Sequence, residues 1–189
     1  MSTDRDLVRR CLRGDPFATR ELVARFESEV FGLCVRLLRH RHDAEDVAQE
    51  VFLRVFRSLN RWDQTRPLRP WVLAITVNRC RTAMTKRGKR PGPTEFAGDV
   101  ADTAPPPTDQ ELTEAIAACV AGLRDDYREV FVLFHETGRS YDEIAEIIDR
   151  PVGTIKTWLH RARKMILDGL HERGLMLDEP EAATPPAKS

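Results

Sequence analysis

The residues best suited to binding another molecule lie near the C-terminal end of the sequence, where basic and hydroxyl side chains alternate with apolar ones. Apolar residues repeat there at intervals of 4, 3 and 4 positions, as Ile155, Leu159, Ala162 and Ile166. This spacing forms one apolar stripe along a helix. The outward side chains of that helix are then Thr154, Lys156, Thr157, His160, Arg161, Arg163 and Lys164. A helix that rests on an apolar stripe and presents such donors outward can read base edges in the major groove of DNA.

A second helix is predicted directly before this one. Ser140 and Glu143 have the spacing of a capping box, in which the hydroxyl and the carboxylate each accept a hydrogen bond from the other residue's backbone amide. Pro151 then interrupts the pattern, and Gly153 lets the backbone amides at the start of the next helix approach a phosphate. Cap, turn and stripe together predict a helix-turn-helix from about Ser140 to Lys164. A merely solvated basic helix is the alternative, but it explains neither the cap nor the turn.

An acidic and polar helix face is predicted in the first half of the chain. Gln49 and Glu50 follow Asp46 by three and four positions, so the three residues share one face of a helix. The opposite face carries Val47 and Val51. Such a polar face is either ordinary solvated surface or a docking surface for a basic or polar partner helix. The residues alone leave both alternatives open.

Tryptophan and basic residues are interleaved in the segment that follows. This segment contains Trp62, Arg66, Arg69 and Trp71, and then Asn78, Arg79, Arg81, Lys86 and Arg87. Aromatic rings that stack on unpaired bases, together with cations that follow the phosphate backbone, are a means of holding single-stranded nucleic acid. The alternative is that both tryptophans belong to the core and the cations only increase solubility. Trp71 opens an amphipathic helix, and we expect it to be at least partly buried.

Neither a catalytic set nor a metal site is expected. The sequence contains no HExxH motif and no Walker-type phosphate loop, and His135-Glu136 is isolated in an apolar stretch. The four cysteines are far apart and include no CxxC pair, which predicts buried, reduced thiols rather than zinc ligands or disulfides. We therefore expect a protein that is not an enzyme and carries no cofactor.

Charge is distributed unevenly along a chain whose formal net charge is zero. Residues 1–90 contain 20 Lys and Arg against 11 Asp and Glu, whereas residues 91–130 contain 2 against 9. The basic first half suits a polyanionic partner such as nucleic acid. No apolar run approaches the roughly 20 residues of a membrane span, and the charged N-terminus lacks the apolar core of a secretory signal. The protein is therefore expected in the cytoplasm.

Apolar residues recur at helical spacing almost throughout, which predicts an all-α fold. Residues 1–87 are expected to form four helices, and residues 110–172 a second helical domain. The segment 88–109 is rich in Pro, Gly and acidic residues and predicts a flexible linker, and residues 173–189 predict a disordered tail. The apolar residues of the first two helices are expected in the core, Leu12 and Phe17 among them.

Three segments stand in a distinctive order: DAEDVAQEVFLRVF, then RPLRPWVLAITVN with a basic stretch after it, then YDEIAEIIDRPVGTIKTWLHRARK. They resemble regions 2.2, 2.3 to 2.4 and 4.2 of an extracytoplasmic-function (ECF) sigma factor of the sigma-70 family. The resemblance covers about residues 4–170. It implies two small helical domains joined by a flexible linker, with a four-helix region 2 first and a helix-turn-helix region 4 second. It also implies a protein that directs core RNA polymerase to promoters, while the polymerase carries out the chemistry.

The resemblance implies a partner for each set of residues. The residues that would bind the clamp helices of the largest-subunit pair of core polymerase are Asp43, Asp46, Gln49 and Glu50. The residues that would bind single-stranded -10 DNA are Trp62, Arg66, Arg69, Trp71, Asn78, Arg81, Lys86 and Arg87. The residues that would read duplex -35 DNA are Gly153, Thr154, Lys156, Thr157, Trp158, His160, Arg161, Arg163 and Lys164. Region 4 would also bind the polymerase flap, and an anti-sigma factor is a further partner that the resemblance suggests.

Trp158 departs from the family pattern. The family commonly has an arginine or a similar polar residue after the Lys-Thr pair, where this chain has Trp158. A phosphate contact is therefore either lost at this position or replaced by packing.

Two other functions stay open beside this one. The chain could be a stand-alone helix-turn-helix regulator that binds operator DNA as a dimer, with the first domain as a sensor or dimerisation module. It could also be an adaptor or anti-sigma-like protein whose basic helices meet protein rather than DNA. Neither role needs the tryptophan and arginine segment before the linker, so that segment favours the sigma factor.

Overall fold

The structure of the protein is a computed structural model that describes residues 3–88 and 109–175. Within these residues every regular element is a helix, as the sequence predicts. Most of the predicted linker, 89–108, and most of the predicted tail, 176–189, lie outside the described residues, as does the side chain of Arg87. No helix in the described ranges is long and apolar enough to span a bilayer.

The first unit, residues 3–88, contains the four α-helices expected from the sequence. They are α1 (Asp4–Leu12), α2 (Pro16–Leu38), α3 (Arg41–Ser58) and α4 (Leu68–Gly88), with a 3-10 turn at Leu59–Arg61. Helix α2 is central and packs on the other three. Asp15 caps α2, because its Oδ1 accepts the backbone amides of Phe17 and Ala18 at 2.8 and 3.3 Å. Pro16 suits the first turn, where its missing amide has no partner to lose.

The core of the first unit lies between α2, α3 and α4. Among its most enclosed side chains, at 0–1% exposed, are Leu22, Leu33, Val51, Leu73 and Val77. Burial of each such side chain contributes roughly 1.5–3 kcal/mol. The prediction for Leu12 and Phe17 is wrong, since they are 50% and 71% exposed. They stand on either side of the turn at Gly14, at helix ends where no neighbouring helix covers the apolar stripe.

The second unit, residues 109–175, is built from four further helices. They are α5 (Asp109–Gly122), α6 (Asp125–Phe131), α7 (Tyr141–Ile148) and α8 (Val152–His171), and α6 continues into a π-helical turn at Val132–Glu136. The chain leaves this turn through Gly138, whose φ of +66° suits glycine. The buried residues of α8 are Ile155, Leu159, Ala162, Ile166 and Leu170. The predicted apolar stripe is therefore confirmed.

The two units pack against each other, chiefly through α4 and α7. Ion pairs from α2, α4 and the loop before α4 cross to the second unit and line this contact. The sequence predicts two domains on a linker and gives no sign of the contact. The ion pairs of this contact are described below, because two of their arginines belong to the predicted DNA-binding set.

Candidate nucleic-acid interface

The helix-turn-helix is formed by α7 and α8 and begins with the predicted capping box. The backbone amide of Ser140 donates to Glu143 Oε2 at 2.9 Å, and the amide of Glu143 donates to Ser140 Oγ at 3.3 Å. The pKa of Glu143 is lowered, chiefly because the Ser140 amide stabilises the carboxylate. Helix α7 ends at Ile148 and is capped by Asp149, which adopts a left-handed φ of +57°, and α8 begins at Val152. The turn is therefore short and fixed on both sides.

The outer face of α8 carries the donors that the sequence places there. Its exposed side chains include Lys156, Thr157, His160, Arg161, Arg163 and Lys164, and Thr154 is half-buried. Gly153 opens this face, and a Cβ atom added to it would meet no atom within 4 Å. The packing of the protein itself therefore does not require glycine at this position. The space beside Gly153 is open to an external group.

Arg163 is held against the π-helical turn rather than extended into solvent. Its Nε donates to Nε2 of His135 at 3.0 Å, and its guanidinium lies 5.2 Å from the centroid of the Phe134 ring. Burial and the charge of Arg163 lower the pKa of His135, which favours the neutral imidazole and its lone pair. The sequence gives His135 no partner at local spacing, because Arg163, which donates to it, is 28 positions away.

Two tyrosines support three further residues of α8. NH1 of Arg161 donates to the hydroxyl of Tyr127 at 3.3 Å, and Nζ of Lys156 lies 5.6 Å from the ring centroid of Tyr141. Trp158 is half-buried, and its ring centroid lies 6.5 Å from that of Tyr127. Of the two outcomes left open for Trp158, the structure supports packing.

The acidic face of α3 is exposed to solvent. Asp46, Gln49 and Glu50 are exposed and Asp43 is half-buried, while the buried residues of the helix are Ala44, Val47, Ala48, Val51 and Val55. Oε2 of Glu50 lies 3.8 Å from NH1 of Arg79, so the face adjoins the basic side of α4. Leu53 follows Glu50 by three positions and is 57% exposed. It adds an apolar side chain to the face, although its residue type suggests a core position.

A groove of about 350 Å³ runs between the end of α3 and α4. Its lining residues are Arg54, Ser58, Arg61, Trp71, Ile75, Asn78 and Arg79. Three guanidinium groups and the half-buried ring of Trp71 meet here, a combination that suits single-stranded nucleic acid. The sequence pattern indicates Trp71 and Asn78 but not Arg54 and Arg61. Only the packing of α3 against α4 brings these two arginines to the others.

The two tryptophans of this region lie in different environments. Trp62 is 6% exposed and belongs to the core, so the structure supports packing over stacking on an external base. Trp71 is half-buried, as expected, and also lines a second cavity of about 220 Å³ together with Arg66 and Pro70. Glu146 of α7 lines this second cavity from the other unit.

The remaining basic residues of the -10 set are not gathered in the α3–α4 groove. Arg66 and Arg81 pair with carboxylates of the second unit, and Arg69 pairs with Glu29 of α2. Lys86, near the end of α4, is exposed. Residues predicted to act together on DNA are thus partly engaged within the protein.

The cysteines of the described residues are free thiols. Cys34 and Cys80 are buried with their Sγ atoms 3.7 Å apart, Cys119 is buried, and Cys11 is half-buried. The hydrogen bond to Cys34 and burial raise the pKa of Cys80 well above its usual value, so this thiol stays protonated. Within residues 3–88 and 109–175, no cluster of His, Cys, Asp and Glu is arranged to hold a metal ion.

Models of two sigma-factor regions match the chain in the order of its two units. Residues 22–90 match Sigma-70 region 2, and residues 113–166 match Sigma-70, region 4. The chain is also 32% identical to the ECF RNA polymerase sigma-E factor of Haemophilus influenzae. The aligned 177 residues cover 87% of this chain and 93% of that protein. The chain belongs to the ECF RNA polymerase sigma factors. The family that the sequence motifs indicate is thereby confirmed.

Further known proteins resemble the chain in sequence or in fold. The ECF RNA polymerase sigma factor SigW of Bacillus subtilis is 32% identical over 180 residues, which are 87% of this chain and 95% of SigW. The structure of CnrH in complex with the cytosolic domain of CnrY has a TM-score of 0.65 at 23% identity, over 89% of this chain and 97% of that one. Sigma factor RpoE of Bartonella quintana, in complex with the anti-sigma factor NepR, has a TM-score of 0.64 at 22% identity, over 80% and 96%. These structures confirm the all-α fold.

Proposed function

We propose that this ECF sigma factor is a dissociable subunit that binds core RNA polymerase and directs it to promoters by reading -35 and -10 elements. The polymerase carries out the chemistry, and the sigma factor contributes binding. One observation supports this proposal best. The chain presents the outward donors of helix α8 and, separately, a basic and aromatic groove between α3 and α4. Duplex and single-stranded DNA need these two different kinds of surface.

Helix α8 is proposed to read the -35 element in the major groove of duplex DNA. Arg163 can still donate from both terminal amino groups, because only its Nε is used by His135. Arg161 and Lys156 rest on tyrosine side chains, so they lose less rotamer freedom when they bind. The remaining contacts are proposed for Gly153, Thr154, Thr157, His160 and Lys164, whereas Trp158 supports the helix by packing.

The groove between α3 and α4 is proposed to hold the unpaired strand of the -10 element. Arg54, Arg61 and Arg79 present guanidinium groups that suit phosphate oxygens. Trp71 offers a ring on which a base can stack, and the amide of Asn78 can both donate to and accept from a base edge. The groove thus contains both kinds of contact that an unpaired strand requires.

The acidic face of α3 is proposed to dock on the clamp helices of core polymerase. Asp46, Gln49 and Glu50 offer acceptors to a basic or polar helix. Leu53 lies on the same face and is exposed, so it supplies an apolar contact of the kind that stabilises the centre of an interface. The contact with the polymerase flap is proposed for region 4, on the family resemblance.

Transcription with purified core polymerase tests the proposal. Genomic DNA fragments are transcribed by core polymerase alone and by core polymerase with the chain, and the 5′ ends of the RNA are mapped. Start sites that appear only with the chain support the proposal. Their absence, together with tight binding of operator duplexes by a dimer of the chain, would favour a stand-alone regulator.

A regulatory partner and a location follow from the same proposal. RpoE of Bartonella quintana is in complex with an anti-sigma factor, and we propose a partner of that type for this chain. The purified partner should abolish the start sites that depend on the chain. A protein that acts on promoter DNA works in the cytoplasm, on the nucleoid when it is bound to polymerase.

A further inference from the structure

Four ion pairs between the described residues of the two units hold them together. They are Arg36–Glu136 at 2.9 Å, Arg66–Glu146 at 3.5 Å, Arg81–Glu129 at 2.5 Å and Arg139–Glu29 at 2.5 Å. In three of the four, the arginine belongs to the first unit and the carboxylate to the second. The contact therefore sets acidic groups of region 4 against the basic surface of region 2.

Glu129 is the most enclosed of these carboxylates, with 0% exposure. Nε of Arg81 donates to both of its oxygens, at 2.8 and 3.0 Å, and NH2 donates to Oε2 at 2.5 Å. Burial raises the pKa of Glu129, and the charge and hydrogen bonds of Arg81 oppose that rise. A buried carboxylate without this arginine would be an unpaired buried charge. The Arg81–Glu129 pair contains the most deeply buried carboxylate of the four pairs, and we call it the latch.

Two of the engaged arginines belong to the set that the sequence predicts to bind -10 DNA. Arg81 directs Nε and NH2 at Glu129, and Arg66 lies against Glu146. A phosphate needs the same N–H donors, because guanidinium recognises carboxylate and phosphate oxygens in the same way. Glu146 also lines the cavity beside Trp71, close to where an unpaired base would stack. Carboxylates of region 4 thus occupy positions that nucleic acid would use.

We infer that the contact is autoinhibitory: in the free chain, region 4 covers part of the -10 DNA-binding surface of region 2, and the latch keeps it there. The two units must separate before single-stranded DNA can reach Arg66 and Arg81 and bind region 2 at full affinity. The inference rests on the proposed function and on the sequence prediction that Arg66 and Arg81 contact the -10 strand.

The contact between the two units is polar, and we expect the units to separate reversibly. The side chains of Arg36–Glu136 and Arg66–Glu146 are 35–66% exposed, and exposed ion pairs stabilise a protein weakly. Nε of Arg128 and Nε of Arg139 are buried there without a hydrogen-bond partner among the described residues. Buried donors without acceptors are costly, and opening would return them to water. A polar contact of this kind between domains is normally reversible.

The test measures the shape and the DNA affinity of the full chain in the absence of polymerase. Glu129→Gln removes the charge of the latch, and small-angle X-ray scattering should then give a larger radius of gyration. A fluorescein-labelled single-stranded DNA of mixed sequence should bind about tenfold more tightly, as happens when a minor competent state becomes the dominant one. Glu172→Gln is the matched control. It removes the same charge at an exposed position after α8 and should change neither measurement.

A second variant covers the case in which the buried substitution impairs folding. Glu136→Gln combined with Glu146→Gln alters side chains that are 35% and 39% exposed, so folding should be kept and the units should still separate. If folded variants keep both the radius of gyration and the DNA affinity of the wild type, the inference is overturned. Opening without a gain in affinity overturns it as well. Failure of the proposed function would instead appear as a lack of chain-dependent transcription starts, which neither measurement monitors.

Discussion

Arg161 and Glu50 lie on different units and present opposite charges to different partners. Arg161 is exposed on α8, with one amino group on the hydroxyl of Tyr127. Glu50 is exposed on α3, near Arg79. In the proposed function Arg161 binds DNA and Glu50 binds polymerase, so a substitution at either position should affect one partner only.

Arg161→Ala is expected to weaken initiation at promoters that depend on a -35 element. The loss should be about tenfold, because an arginine contact with a base edge is worth roughly 1–3 kcal/mol of discrimination. Run-off transcription at limiting protein measures the loss, and fluorescence anisotropy should show unchanged affinity for core polymerase. On a template with a scrambled -35 element, the variant and the wild type should be equally weak. An equal loss of transcription on both templates would show that Arg161 does not act through the -35 element.

Glu50→Lys is expected to weaken binding to core polymerase about tenfold or more, since it puts a like charge against a basic partner surface. Its matched control is Glu27→Lys. Glu27 is exposed on α2 and does not belong to the acidic face of α3. Equilibrium binding to core polymerase should fall for Glu50→Lys and change little for Glu27→Lys. Similar losses for Glu50→Lys and Arg161→Ala would contradict the division of roles.

At the scale of the element, the capping box fixes the start of α7, the first helix of the helix-turn-helix. Ser140→Ala removes the hydroxyl that accepts the Glu143 amide and should destabilise the protein by about 1 kcal/mol. Thr113→Ala is the control, because its hydroxyl only donates back to the Asp109 carbonyl on an exposed helix face. Denaturant unfolding measures both. An equal effect of the two substitutions would mean that the cap contributes nothing of its own.

The helix-turn-helix could be predicted closely because its signals are local. The capping box spans Ser140 to Glu143, and the stripe of α8 repeats within a single helix. The α3–α4 groove could be predicted only in part. Arg54 and Arg61 join Trp71 through the packing of two helices, and no sequence period expresses that packing. The prediction that Phe17 is buried was wrong. Phe17 belongs to the apolar stripe of α2, but it lies in the first turn of that helix and is 71% exposed.

At the scale of the whole molecule, charge was the informative sequence property. The excess of basic residues before residue 90 predicts a surface that attracts anions. It did not indicate that carboxylates of the same chain already lie on part of that surface. The partners in Arg81–Glu129 and in Arg139–Glu29 are 48 and 110 positions apart, so no local pattern pairs them.

Raising the salt concentration is expected to open the molecule. The Debye length falls from about 10 Å at 0.1 M to about 3 Å at 1 M salt, and exposed pairs are screened more than buried ones. Scattering in a salt series should therefore show the radius of gyration increase, and Glu129→Gln should open at lower salt than the wild type. The Glu172→Gln control should follow the wild type. A radius of gyration that is constant for every protein would show that charge does not hold the units together.

The central claim is that this chain turns core RNA polymerase into a promoter-specific enzyme. The most direct measurement is the genome-wide mapping of RNA 5′ ends made by core polymerase with the wild type, Arg161→Ala or Glu50→Lys at equal concentration. We expect a discrete set of start sites that is absent with core polymerase alone, weakened by Arg161→Ala and lost with Glu50→Lys unless the protein concentration is raised. Identical maps with and without the wild-type chain would contradict the claim.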